Sequence, residues 1–366
     1  MALKTQVKLA WKLGTSPLAR KIAFDTPLVK DWLSVGRRPG VLDLRPRKIT
    51  REGLVVEQHI REGRFQRSLA LITAFSSLLS GLEVGTEHYQ GSYNQRLMYS
   101  PVIASGALLA ASLWGAINRK AARTLLPITS LVMLGDGLIG FIWHARGIAR
   151  KPGGWRIPVF NVVMGPPLLA PILLMISGYL GMMASLLRRE DDPAHTSLPG
   201  MPRPRSTWWH LLPRKITREG LTLEHEIREG RFQRHLAAMA AISAVCSGFE
   251  ALYSHYKNNF QYKVQWTPIL LTPVLFAAGI GTIWSRSFGR IFLPVASLLA
   301  ILNGTIGSFY HVRGMMRRPA GLKYVAHNPR SGVIYRFAYG PPAFAPLLFA
   351  ASGFMGLLAS LMRREK

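Results

Sequence analysis

Eight long apolar runs, at approximately 68–86, 99–117, 124–144, 159–187, 235–253, 268–284, 291–311 and 337–362, dominate this sequence. At ~1.5 Å of rise per residue each reaches across ~30 Å of hydrocarbon, the shortest only just. Lipid offers no water to the peptide groups, so a spanning segment satisfies its own backbone as a helix or closes into a barrel. The runs lack the period-2 alternation of a barrel. The sequence therefore predicts an all-α membrane protein with eight transmembrane helices.

The chain is 49% apolar yet carries a net charge of +28, and the cations gather between the runs. That placement makes nucleic-acid binding an unnecessary explanation for the charge. No phosphate-binding loop, catalytic triad or paired-cysteine pattern occurs. Cys246 lies inside an apolar run and reads as a small core hydrophobe. Residues 1–45 hold no continuous apolar signal core; they are basic and weakly amphipathic. They read as a helix lying on anionic lipid, with a mitochondrial transit-like segment as the alternative.

The runs fall into two copies of one unit. "PRKITREGLVVEQHIREGRFQR" (46–67) returns as "PRKITREGLTLEHEIREGRFQR" (213–234), identical at 18 of 22 positions. The offset of 167 carries Glu83 onto Glu250, His88 onto His255 and His144 onto His311. About eight residues are then inserted, so that "GPPLLAP" (165–171) matches "GPPAFAP" (340–346). The predicted architecture is two tandem, parallel four-helix repeats, 46–190 and 213–366, joined by a linker at 191–212. An even number of spans gives both units one orientation. With the N-terminus inside, 33 of the 46 Lys and Arg lie on the inner side, which favours both termini inside. A bacterial inner membrane is the expected location, ahead of an organelle membrane.

Four of the ten histidines recur at matched positions: His88, His144, His255 and His311. Gly81 and Gly248 precede His88 and His255 by seven residues. Gly137 and Gly140 precede His144 by seven and four, as Gly304 and Gly307 precede His311. Such spacings share the histidine's helical face. A flat macrocycle held by an axial imidazole from each of two helices needs a strip of that kind. Arg146 and Arg313, two residues beyond the histidines, are placed to pair with propionates. The leading expectation is thus a non-catalytic redox-complex subunit with two b-type haems, ligated by His88 with His144 and by His255 with His311.

Two other classes compete. Glycines at these spacings also let bare helices pack closely. Histidines beside Tyr89, Tyr256, Trp143 and Tyr310 also serve as interfacial anchors. A cofactor-free anchor subunit then suffices. The same four histidines are candidate ligands for another metal. Glu83 and Glu250 lie five residues deeper, about 140° around the helix, which is the wrong spacing for sharing that metal. They read as buried hydrogen-bond partners, or as proton carriers in a transporter with its pathway between the repeats. Asp136 is replaced by Asn303 in the second copy, which argues against an essential ligand.

Outside the runs, Glu57, Glu62, Arg64 and Arg67 match Glu224, Glu229, Arg231 and Arg234. They read as a surface helix with internal ion pairs and lipid-facing arginines, or as a docking face for a partner. The outer loops hold 13 basic residues against one loop-borne acid, Glu87. Anionic lipid and protein partners in a membrane complex are the expected company.

Overall fold

A computed structural model describes residues 58–59, 62–187, 189, 223, 231–317, 336 and 340–362. The basic segment 1–45, the linker 191–212, Glu57, Glu224 and Glu229 lie outside the described residues. Within them all regular structure is helical. Eight long helices follow one another: α1 (Phe65–Gln90), α2 (Ser100–Ile117), α3 (Leu125–Ala149), α4 (Ala170–Leu186), α5 (Phe232–Lys257), α6 (Thr267–Trp284), α7 (Leu293–Arg317) and α8 (Ala345–Leu361).

Among the described residues six helical stretches are long and apolar enough to cross a membrane: Phe65–Gln90, Arg96–Ile117, Arg119–Ala149, Phe232–Lys257, Lys263–Trp284 and Phe288–Arg317. The other two, α4 and α8, have 17 residues each. Where the sequence predicts eight spans, the described residues thus show six helices of that length and two shorter apolar ones. The run at 159–187 breaks into a short helix, Pro158–Val163, and α4. Pro166 and Pro167 sit at the break; they lack N–H donors and push the residue before them out of helical geometry. Pro341 and Pro342 stand in the same place before α8. Of the prolines in these two motifs, Pro171 and Pro346 occupy first helical turns, where a missing donor costs nothing.

In the first half α1 packs on α2 and α4, and α3 packs on the same two helices. In the second half α5 and α7 each pack on α6 and α8. The halves meet where α4 touches α5 and α8 touches α1. One apolar core runs through both, including Leu69, Leu108 and Met133 in the first and Leu236, Leu275 and Leu293 in the second. The opposite faces are apolar too: Ile117 is 80% and Trp284 76% exposed. A soluble monomer rarely presents so much contiguous apolar surface, whereas hydrocarbon accepts it.

Hydroxyls join the helices at equivalent places. Ser76 Oγ lies 2.7 Å from Ser177 Oγ, and Ser243 Oγ 2.7 Å from Ser352 Oγ. At the start of α1 the "FQR" of the repeated motif is the first turn of the span rather than part of a surface helix: Phe65 is 5% and Gln66 1% exposed. Gln66 Oε1 accepts from the buried Arg189, whose Nη1 also donates to the Gly115 carbonyl. Arg189 thereby ties α1 to the carbonyls left over at the end of α2. Just before α1, Glu62 pairs with Arg64 at 3.1 Å and accepts from Gln58 at 2.7 Å.

Candidate functional site

The four histidines stand near the C-terminal ends of α1, α3, α5 and α7. His88 Nδ1 lies 2.6 Å from the Met98 carbonyl, His144 Nδ1 2.5 Å from Pro167 O and His311 Nδ1 2.6 Å from Pro342 O. A carbonyl only accepts, so each Nδ1 carries the proton and each Nε2 keeps its lone pair. Two of these carbonyls belong to the Gly-Pro-Pro breaks, where the interrupted helix leaves them available. The His255 and His311 rings are 6.2 Å apart and nearly perpendicular, at 83°. In the first half His144 lies within electrostatic reach of His88.

A tight turn follows His88 and His255 in each half. Ser92 and Tyr93 have φ of 59° and 45°, and Asn259 and Phe260 have 53° and 46°. Two consecutive left-handed residues with side chains cost about 1–3 kcal/mol each unless their surroundings over-determine them. Here they are held. Tyr93 N donates to His88 O and Phe260 N to His255 O, both at 3.0 Å. Tyr93 stacks on Tyr99 at 4.3 Å and Phe260 on Trp266 at 4.2 Å. Burial, with Tyr99 beside it, pushes the Tyr93 phenol up, so it remains a donor to Gly85 O at 3.2 Å.

The glycines below the histidines face neighbouring helices. A methyl on Gly137 would meet Met175 Cγ at 2.5 Å and Pro171 O at 2.8 Å; one on Gly304 would meet Ala350 Cβ at 2.7 Å. Gly140 and Gly307 face Pro171 and Pro346, Gly81 faces Ser105, and Gly248 faces Thr272. The strip expected to receive a macrocycle is therefore filled by α4 and α8 behind α3 and α7, and by α2 and α6 behind α1 and α5. Arg146 is exposed, its guanidinium 5.7 Å from the Trp143 ring, and Arg313 is exposed as well. Among the described residues no three His, Cys, Asp or Glu side chains converge as a metal shell.

Asp136 and Asn303 do the same work in their halves. Ser100 Oγ donates to Asp136 Oδ1 at 2.6 Å, and Asn303 Nδ2 donates to Thr267 Oγ1 at 2.6 Å. Each ties the start of one helix to the middle of the next, which explains why the charge varies and the size does not.

Glu83 and Glu250 reach across the molecule. Glu250, on α5, accepts from Leu169 N at 3.2 Å and is hydrogen-bonded at Ala170, at the N-terminus of α4. Glu83, on α1, lies against the backbone at Phe344 and Ala345, at the N-terminus of α8, with its Oε2 buried and without a hydrogen-bond partner. Leu169 and Phe344 provide no side-chain cap of their own. The first amides of a helix have no internal partner, so a side-chain oxygen that accepts from them is stabilising. Each half thus caps the last helix of the other.

Sequence reasoning missed three companions of these glutamates. Tyr253 Oη donates to Gly165 O at 2.8 Å, Lys257 Nζ donates to Tyr253 Oη, and Glu87 lies within electrostatic reach of Lys257. Their signal is a departure from the repeat: Tyr253 stands where the first copy has Thr86, and Lys257 where it has Gln90.

The fold and its surface define a multi-pass helical membrane protein. Comparison with known protein families, with curated proteins and with solved structures finds no match to this chain.

Proposed function

We propose that this chain is a cofactor-free structural subunit that anchors a larger membrane complex. It threads the bilayer as eight helices in two parallel four-helix repeats, both termini inside. The observation that carries this reading is the exchange of glutamate caps between the halves. That exchange, with glycines packed against the neighbouring helices, engages the candidate polar residues in holding one rigid body together. At 17 residues α4 and α8 reach about 26 Å, near the thickness of a thin bilayer. The basic segments suit anionic lipid headgroups on the inner side.

The test is purification of the full chain from its own membranes in mild detergent, with spectra and partner stoichiometry recorded together. An anchor is colourless and stoichiometric with a partner that leaves the membrane when the anchor's gene is deleted. A redox subunit with b haems is the second reading, favoured by the paired imidazoles. A reduced-minus-oxidised b-type spectrum would establish it and overturn the anchor. Substrate-dependent flux in vesicles containing this chain alone would instead favour a transport pathway between the repeats.

A further inference from the structure

We infer that the loop between α3 and α4, residues 153–164, is the docking platform for a protein partner whose contact patch is apolar at its centre and acidic at its rim. The inference rests on the anchor reading and gives that anchor its contact surface.

The loop turns apolar side chains outward. Trp155, Ile157, Val159, Phe160 and Met164 are exposed, Val159 at 73% and Phe160 at 62%. The apolar faces of α2 and α3 suit hydrocarbon, but this patch stands beyond it. From Leu125 to His144, α3 already rises about 29 Å, close to the ~30 Å of hydrocarbon. Residues 145–149 add about 8 Å, enough to clear a headgroup layer of roughly 6 Å. The loop follows that end of the helix, so its apolar patch faces water. Contiguous apolar surface in water marks a protein contact.

The platform is fixed in place. Gly153 and Gly154 turn the chain with φ of 77° and 48°. A methyl on Gly154 would meet the Ala149 carbonyl at 2.9 Å. Asn161, 2% exposed, donates through Nδ2 to Pro152 O at 2.9 Å and Gly154 O at 2.7 Å, closing the loop onto the end of α3. From the other half, Tyr253 Oη donates to Gly165 O at 2.8 Å. A loop held this way presents its aromatic anchors with little ordering left to lose on binding.

Both ties depart from the repeat. Counted from the shared Gly-Pro-Pro, the second copy has Arg336 for Asn161, Arg330 for Trp155 and Gly332 for Ile157. Thr86 takes the place of Tyr253 in the first copy and donates instead to Glu83 O on its own helix, at 2.8 Å. The residues that build the platform thus occur once per chain, which sets one partner per chain. Charge gives that partner its chemistry. Arg146, Arg150, Lys151 and Arg156 flank the patch, and residues 140–171 contain no Asp or Glu. An acidic rim meets them with complementary potential.

The experiment purifies the full chain from its own membranes in mild detergent and measures the protein that stays with it. Wild type is compared with Val159→Asp combined with Phe160→Asp, with Arg156→Glu, and with the control Tyr262→Asp, which alters an exposed residue of the other half. Wild type and the control should keep one acidic partner per chain. The double variant should lose it by at least about tenfold, and Arg156→Glu should release it at lower salt than wild type. All three should match wild type in membrane yield and helical circular dichroism. A partner kept equally by the double variant would overturn the docking site and leave the anchor reading standing. A wild type that carries no partner would overturn both. Should the double variant not fold, a photo-cross-linking residue at position 159 in intact membranes decides. An adduct with the co-purified protein supports the assignment; adducts with lipid alone overturn it.

Discussion

Replacing Gly304 by alanine separates a packing role from a cofactor role for the glycine strips. Alanine in a helix interior gains about 1 kcal/mol over glycine from propensity alone. At Gly304 the new methyl would lie 2.7 Å from both Ala350 Cβ and Ala350 N and would press on the Pro346 carbonyl. Backbone atoms of α8 cannot rotate away, so α7 and α8 must separate. Overpacking of this kind costs about 1–3 kcal/mol, with backbone contacts at the upper end. The net expectation is a loss of roughly 1–2 kcal/mol. Gly106 is the control, because a methyl there meets nothing within 4 Å. Gly106→Ala should be neutral or gain up to about 1 kcal/mol. Unfolding in mixed detergent, titrated with sodium dodecyl sulfate and followed by circular dichroism, measures both. Equal shifts of one sign for the two variants would refute the assignment of Gly304 to a helix contact.

Asp136→Asn should change stability by less than about 0.5 kcal/mol, since Asn303 holds the equivalent hydroxyl; Asp136→Ala should cost more in the same titration. Arg189→Ala strands Gln66 Oε1 and the Gly115 carbonyl, at about 1–3 kcal/mol for each buried group, and should lower the unfolding midpoint more than any exposed arginine. Glu250→Ala removes the cap of α4 and should cost about 0.5–2 kcal/mol, whereas Glu250→Gln, which still offers an oxygen, should cost less. A reporter fused after Lys366 should be active only in a format that reads the inner side.

Much of the fold was legible because lipid imposes one rule, an apolar run long enough to satisfy its own backbone. The run at 159–187 misled because its apolar character is continuous while its backbone is not: Pro166 and Pro167 interrupt it without adding polarity. Glycine spacing revealed which face Gly137, Gly140, Gly304 and Gly307 share with their histidines. It held no information on what fills that face, because Pro171 and Pro346 arrive from another helix. Glu83 and Glu250 were legible as buried hydrogen-bond partners, but what they bond to was hidden for the same reason. Glu250 bonds to a residue 81 positions away, in the other copy. Periodicity is a local property and the partner is not. The repeated "GRFQR" was visible as a repeat, but its composition suggested a surface, and only packing places Phe65 and Gln66 in the core.

The central claim is that exchanged glutamate caps hold the two halves together, and one measurement reaches it directly. A protease site is placed in the 191–212 linker of the full chain. The purified protein is cut in mild detergent and its halves are followed by size-exclusion chromatography. The account predicts that the cut wild-type halves co-elute and that Glu83→Ala with Glu250→Ala makes them separate while each keeps its helical signal. Halves that separate without any substitution, or that stay together as firmly in the double variant, would contradict it.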